Sequence, residues 1–315
     1  MTVRRRWALA VLGLAPWLTI AACGGVSGGA AVAGPSTPTP ALDTTGFLEF
    51  VAGTAPLVIV APHGGSLKPV NVPDRTCAGC EFLADANTED LARLVVEAFV
   101  RRTGKRPFLA LNHLHRIKFD GNRELDEATG SHSRLNGVWN SWQDNLDSVS
   151  ARAARAHAGR GLYIELHGHA HAVARIEIGY LLTAAQLRSS DAVLSSGTAM
   201  RQSSIARLVN DTRSGAADVV LLRGAPSLGA LLYGAGYPAV PSPSDPAPNV
   251  GDSYFNGGYN TVRHGSLNGG LTDAVQLECN FAGVRDTAAN RAAFADVLAS
   301  ILQQYLKAQY GWPAV

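Results

Sequence analysis

"GLYIELHGHAH", residues 161 to 171, is the stretch on which the reading of this chain turns. Its first half is a short apolar run with β-branched and aromatic side chains, the composition of a strand buried on both faces. "PLVIVAP" (56–62), "PFLALN" (107–112) and "AVQLEC" (274–279) share that character. Between these runs the periodicity predicts helices over 88–102, 138–158, around 204–209 and over 287–305. Strands alternating with helices predict a single α/β domain, with a mostly parallel or mixed sheet and helices on both faces. Ligands gather at the carboxyl ends of the strands in such sheets, and the polar clusters of this sequence fall at those ends.

His167 stands at one such end and His63, in "APHGG" (61–65), at another, so the two imidazoles are expected to converge above the sheet. Gly168 is expected to stop the strand at His167. His169 and His171 then line the pocket or face solvent, with His169 placed among the substrate-binding residues. Glu165, two residues before His167 and of the same parity, is positioned to orient that imidazole through its second ring nitrogen. Catalytic zinc commonly takes two His, a carboxylate and an open position. The nearby acids are Glu81, Asp85, Glu89 and Asp90; Asp85, just ahead of the first helix, is the best placed, with a loop-capping role as its alternative. The next loop, "LNHLHRIKFDGNRELDEA" (111–128), holds Arg116, Asn122 and Arg123. An Asn–Arg pair suits an anionic substrate because the guanidinium fork matches a carboxylate, and Asp120 is expected to hold that fork.

"PHGG", "DANTEDLA", "LHRIKFDGNRELDEA", "ELHGHAH", "EIGYLL" and "VQLEC", in that order across residues 57 to 281, resemble the N-formylglutamate amidohydrolase family, whose fold is carboxypeptidase-like. The resemblance implies that His63 and His167 are metal ligands with Asp85 as the third, holding one Zn2+ per chain. It also implies that Asn122 and Arg123 clamp the substrate carboxylate, and that Arg116 matches the arginine ahead of the "DxNR" element. Glu278, at the end of its strand, takes the place of the general base. The alternative for Glu278 is a buried partner of Arg285 or Arg263. Where the family usually has Asp before "LHG", this chain has Glu165.

The amino terminus carries Arg4, Arg5 and Arg6, an apolar run from Trp7 to Ala22, and then Cys23. It reads as a lipoprotein signal peptide over residues 1–22, too short for a spanning helix, with Cys23 lipidated; the alternative is an ordinary signal peptide cleaved near Ala22. Residues 23–46 are then a Gly/Ser/Thr/Pro-rich tether, and 47–315 the hydrolase domain. Export would place the protein at the outer face of the cytoplasmic membrane or in the cell envelope, on its lipid anchor. Loss of the leader removes three of 27 basic residues and none of 25 acidic ones, giving a formal charge of −1. No clustered Lys/Arg points to nucleic acid. In an oxidising compartment Cys77 and Cys80 are expected to close a small disulfide loop, while Cys279 faces away from Glu278 as a buried thiol. The absence of a G-x-S-x-G element excludes the common serine-hydrolase design. Two functions remain: a zinc amidohydrolase acting on a small carboxylate-bearing substrate, or a lipid-anchored protein that binds a metal or anion without turnover.

Overall fold

The computed structural model describes residues 41–196, 198–211 and 218–313. The expected signal peptide, Cys23 and the tether up to residue 40 lie outside the described residues. The eight strands are β1 (Ala41–Leu42), β2 (Leu48–Val51), β3 (Leu57–Ala61), β4 (Phe108–Asn112), β5 (Gly161–His169), β6 (Ile176–Gly179), β7 (Ala239–Val240) and β8 (Thr272–Asn280). They form one mixed sheet in the order β1-β2-β4-β3-β5-β8-β6-β7. The central strands β4, β3, β5 and β8 run parallel, and antiparallel pairs lie at β1–β2, β2–β4 and β6–β8. Among the described residues the first strand of the sheet is Ala41–Leu42. Asp43 folds the intervening turn back by accepting the Phe47 and Leu48 N–H groups through Oδ1, at 2.9 and 3.0 Å.

Three long helices cover the sheet: α1 (Thr88–Thr103), α2 (Asn136–Arg155) and α3 (Ala288–Tyr305). Helix α1 buries Leu91, Ala92, Val95, Val96 and Phe99, one stripe at helical spacing. Glu89 and Asp90 in its first turn and Arg101 and Arg102 in its last complement the helix dipole. It ends where Gly104 adopts a left-handed conformation, φ 67°. Alternation along the strands sends Leu57, Ile59, Leu162, Ile164, Leu166, Val275, Leu277 and Cys279 to the face covered by α1 and α3. The opposite face sends Val58, Val60, Tyr163 and Ala274 against Trp142, Leu146, Val149 and Ala153 of α2. Glu165, His167, Gln276 and Glu278 share this second face by parity, beyond the apolar part of each strand.

Strand β5 corrects one expectation. It does not stop at His167 but continues through Gly168 to His169, because β8 pairs with it over its whole length, Gly168 opposite Cys279 and His169 opposite Asn280. Gly168 is required for a different reason: a Cβ there would sit 2.2 Å from Arg285 Cζ. The Arg285 guanidinium packs against this glycine and donates to the carbonyls of Cys279 (2.9 Å), Ala86 (2.5 Å) and His169 (3.2 Å). Gly168→Ala is therefore expected to expel Arg285 and lower unfolding free energy by about 1–3 kcal/mol, the cost of leaving buried polar groups unpaired. Denaturant melts of the two proteins measure this; an unchanged midpoint would show that Arg285 has room elsewhere.

Candidate metal centre and pocket

Each side chain of the site is placed by the end of a different element. His63 follows β3 across Pro62, and the chain then passes so near the start of α1 that a Cβ on Gly64 would lie 2.5 Å from the Glu89 nitrogen. Asp85 enters α1: its carbonyl accepts the Thr88 N–H (3.2 Å) and hydroxyl (2.9 Å), and its N–H donates to His63 O (3.0 Å). Its backbone thus does the capping and its side chain is free to turn inward. His167 and Glu278 are direct neighbours in the β5–β8 ladder.

These residues converge. Asp85 Oδ2 lies 3.4 Å from His63 Nδ1 and 3.0 Å from His167 Nδ1, and the three residues each present one donor atom within 4.8 Å of the others. Asp120 Oδ1 takes the far nitrogen of His63, Nε2, at 2.6 Å. That leaves His63 Nδ1 buried with no hydrogen-bond partner among the described residues. His167 Nε2 lies 3.5 Å from Glu165 Oε2 and 3.3 Å from Asn122 Nδ2. The carboxylate suits an Nε2–H, against which Asn122 Nδ2, itself a donor, makes only a contact; in that tautomer both imidazoles carry their proton outward and direct Nδ1 toward Asp85. Tetrahedral ligands on bonds of about 2.0–2.1 Å stand about 3.3 Å apart, close to the two distances measured from Asp85. The donor set fits a small divalent cation.

The electrostatics favour a positive charge at the same place. Burial would lower the affinity of His167 for a proton, but Glu278, Asp85 and Glu165 around it raise it to about 10. Burial would raise Asp85, yet the two imidazoles hold it far below the ordinary carboxylate range. Asp120 is likewise held low against its burial by His63 and Arg116. Glu278 is the exception. Burial pushes it up to about 8, with His167 pulling the other way and Asp85 and Glu177 adding to the rise. Its carboxylate lies 4.0 Å from His167 Nδ1 and accepts one hydrogen bond, from Gln276 Nε2 at 2.9 Å. Neither expected alternative partner reaches it: Arg285 binds carbonyls and Arg263 pairs with Asp147 at 2.9 Å.

A pocket of about 560 Å³ opens over this cluster, lined by all three candidate ligands together with Arg116, Arg123, Glu278 and Arg285. Leu83, Phe255 and Phe281 stand exposed in the same wall.

Solved structures with this architecture include gene product Atu2144 of Agrobacterium tumefaciens, 17% identical over 83% of this chain and 94% of that one, with a TM-score of 0.50. N-formylglutamate amidohydrolase from Ralstonia eutropha JMP134 is 15% identical over 88% of this chain and 99% of that one, also at 0.50. The chain has the N-formylglutamate amidohydrolase fold. No protein-family model matches its sequence and no curated protein is similar to it.

Within that fold, the loop after β4 is arranged differently from expectation. Asp120 does not hold Arg123. Its Oδ1 also caps the Asn122 N–H (3.0 Å) and its Oδ2 takes Arg116 Nε (2.9 Å), so it ties His63 to Arg116 instead. Arg123 donates to Glu127 Oε1 and to the Asn122 carbonyl, both at 2.8 Å, from a partly exposed position in the pocket wall. Asn122 Oδ1 accepts the Asn260 N–H (2.8 Å), which sets its Nδ2 against the His167 ring, 3.3 Å from Nε2. His169 is buried with both ring nitrogens engaged, Nδ1 by the His171 N–H at 3.1 Å and Nε2 by the Arg175 carbonyl at 2.8 Å. Arg116 is buried in the pocket wall with Nη1 3.7 Å from Asp85 Oδ1.

Several supports of the site carry no local sequence signal. Asn260 donates to Glu165 Oε1 (2.7 Å) and to the Gly121 carbonyl (2.8 Å), joining the β5 end to the Asn122 loop. Buried Arg75 donates to the carbonyls of Arg116 (2.9 Å), Glu127 (2.9 Å) and Glu81 (2.7 Å). Cys77 and Cys80, disulfide-bonded just beyond it, close the turn that leads to Glu81 and Leu83 at the pocket. Cys279 is a buried free thiol pushed up to about 12 by its burial.

Proposed function

We propose that this chain is an exported, lipid-anchored, zinc-dependent hydrolase of an amide bond in a carboxylate-bearing N-acyl amino acid or peptide-like substrate. The observation that carries this reading is the convergence of His63 Nδ1, His167 Nδ1 and Asp85 Oδ2 beside a buried carboxyl, Glu278, that among the described residues pairs with no arginine or lysine. A zinc ion in such a donor set acidifies water and polarises a carbonyl when bound. Asp120 and Glu165 fix the two imidazoles through their outer nitrogens. Glu278 takes the proton of the attacking water at its carboxylate, with Gln276 holding one oxygen in place. Arg116 donates from the wall toward the carbonyl oxygen as charge develops there. Arg123, the more accessible guanidinium, attracts the substrate carboxylate. Export is supported by the amino-terminal sequence and by the Cys77–Cys80 disulfide, a bond typical of oxidising compartments.

The test joins two measurements on the purified protein: metal content, and amine release from a panel of N-acyl amino acids. About one zinc per chain and release that a chelator abolishes and added zinc restores are expected. Metal binding with no release from any amide would favour the binding protein instead. Arg123→Lys keeps the charge and loses the fork. It should raise KM for carboxylate-bearing substrates about tenfold, the worth of one charged hydrogen bond, with kcat and zinc content unchanged. An unchanged KM would make Arg123 a solvated loop charge.

A further inference from the structure

A second histidine–carboxylate pair lies in the same pocket, outside the metal cluster. His171, in the loop after β5, lines the pocket with its side chain 19% exposed, and its Nδ1 lies 2.8 Å from Oε1 of fully buried Glu177. The other oxygen of Glu177 accepts the Phe255 N–H at 2.8 Å, and among the described residues His171 is its only ion-pair partner. The imidazole is packed between the rings of Phe255 (4.6 Å) and His169 (4.9 Å), and no hydrogen bond among the described residues engages its Nε2. A buried carboxylate on Nδ1 fixes the tautomer and orientation of the ring, leaving Nε2 free to exchange a proton. Glu177 also stands directly opposite Glu278 in the β6–β8 ladder, so the two carboxylates belong to one rung of the sheet.

Resting on the hydrolase reading above, we propose that His171, positioned by Glu177, is the acid that protonates the departing amine. In this step the water oxygen bonds to the carbonyl carbon while its proton goes to Glu278. The C–N bond then breaks, its electron pair stays on nitrogen, and that nitrogen takes the proton of His171 Nε2. Glu278 releases its proton to solvent and His171 recovers one, so the products are a carboxylic acid and an amine. The division of labour spares Glu278 from carrying the same proton from one side of the scissile bond to the other.

His169, His171 and Glu177 also present donor atoms within 4.8 Å of one another, as a second cation site would. His169 argues against that use, because its Nδ1 accepts the His171 N–H and its Nε2 donates to the Arg175 carbonyl, so neither nitrogen has a lone pair to offer. The oriented imidazole with its open Nε2 suits proton transfer rather than a second cation.

The test compares 4-acetamidobenzoate with 4-acetoxybenzoate, which share an acyl group and a carboxylate and differ in the leaving atom. A phenolate leaves without a proton; an aniline nitrogen needs one. His171→Gln is expected to lower kcat on the amide by about a hundredfold, within the range for lost acid catalysis, and to stay within about threefold on the ester. Glu177→Gln, which keeps the imidazole, should show the same split with a smaller loss on the amide, and both variants should retain about one zinc per chain. Equal losses on the two probes, or no loss on the amide, would overturn the assignment. Two metals per chain falling to one in His171→Gln would replace it with a second cation site. Wild-type protein that cleaves neither probe and releases no amine from the N-acyl panel overturns the hydrolase reading itself, a failure visible before any substitution is made.

Discussion

His63→Ala and His167→Ala should each lower zinc from about one equivalent per chain to near zero. Each removes one of two neutral nitrogen donors and leaves Asp85 with a single imidazole, 3.0 or 3.4 Å away. The expected loss of affinity exceeds the 10- to 100-fold typical of removing an outer hydrogen-bond partner. Asp120→Asn supplies that comparison, because it weakens the acceptor on His63 Nε2 without touching a donor atom. His171→Ala is the control and should keep its metal. Isothermal titration with zinc after chelator treatment ranks the variants. Full metal in both alanine variants would make the histidines structural and remove the basis of the proposed function.

Glu278→Gln carries the second large effect. The amide keeps the shape of the side chain and can still meet Gln276, but it cannot accept the proton of water. Turnover is expected to fall by roughly a hundredfold or more, the usual size of lost acid–base catalysis, with zinc content and competitive binding of a carboxylate ligand unchanged. Burial pushes this carboxyl up to about 8, which disfavours the folded state at pH above the ordinary carboxylate range, so stability at neutral pH should not fall. If turnover survives, the next candidate is Glu165. Its Oε2 is buried without a hydrogen bond 3.5 Å from His167 Nε2. His169 does not follow, since both its nitrogens are in use.

The central strands were legible because burial on both faces leaves an unbroken apolar signature, as in "PLVIVAP" and "AVQLEC". The flanking strands were not. Strand β2 is only four residues long and contains Glu49, which reads as a surface residue until Arg93 is seen to meet both its oxygens at 2.7 Å. The candidate ligands could be named because each sits at the end of such a strand or just before a helix. Their supports could not. Asn260 meets Asn122 across 138 positions, and Arg285 reaches Ala86 across 199, distances over which spacing carries no signal. Asp120 was misassigned for a related reason. Local sequence offered Arg123 as its partner, three residues on, while the fold brought His63 and Arg116 to it instead.

The full-length pairing of β5 with β8 has a consequence for how such a protein can change. His167 and Glu278 face each other on one rung of two strands buried on both faces, so their separation is set by the backbone ladder and resists local drift. Leu83, Phe255, Phe281 and Arg123, which meet whatever enters the pocket, all lie outside the strands. Reactivity and selectivity are therefore carried by mechanically independent parts. Exchange of the 78–84 or 253–258 segments should redirect the choice of acyl group while the metal affinity stays where it was, which makes these two loops the natural place to begin re-engineering the pocket.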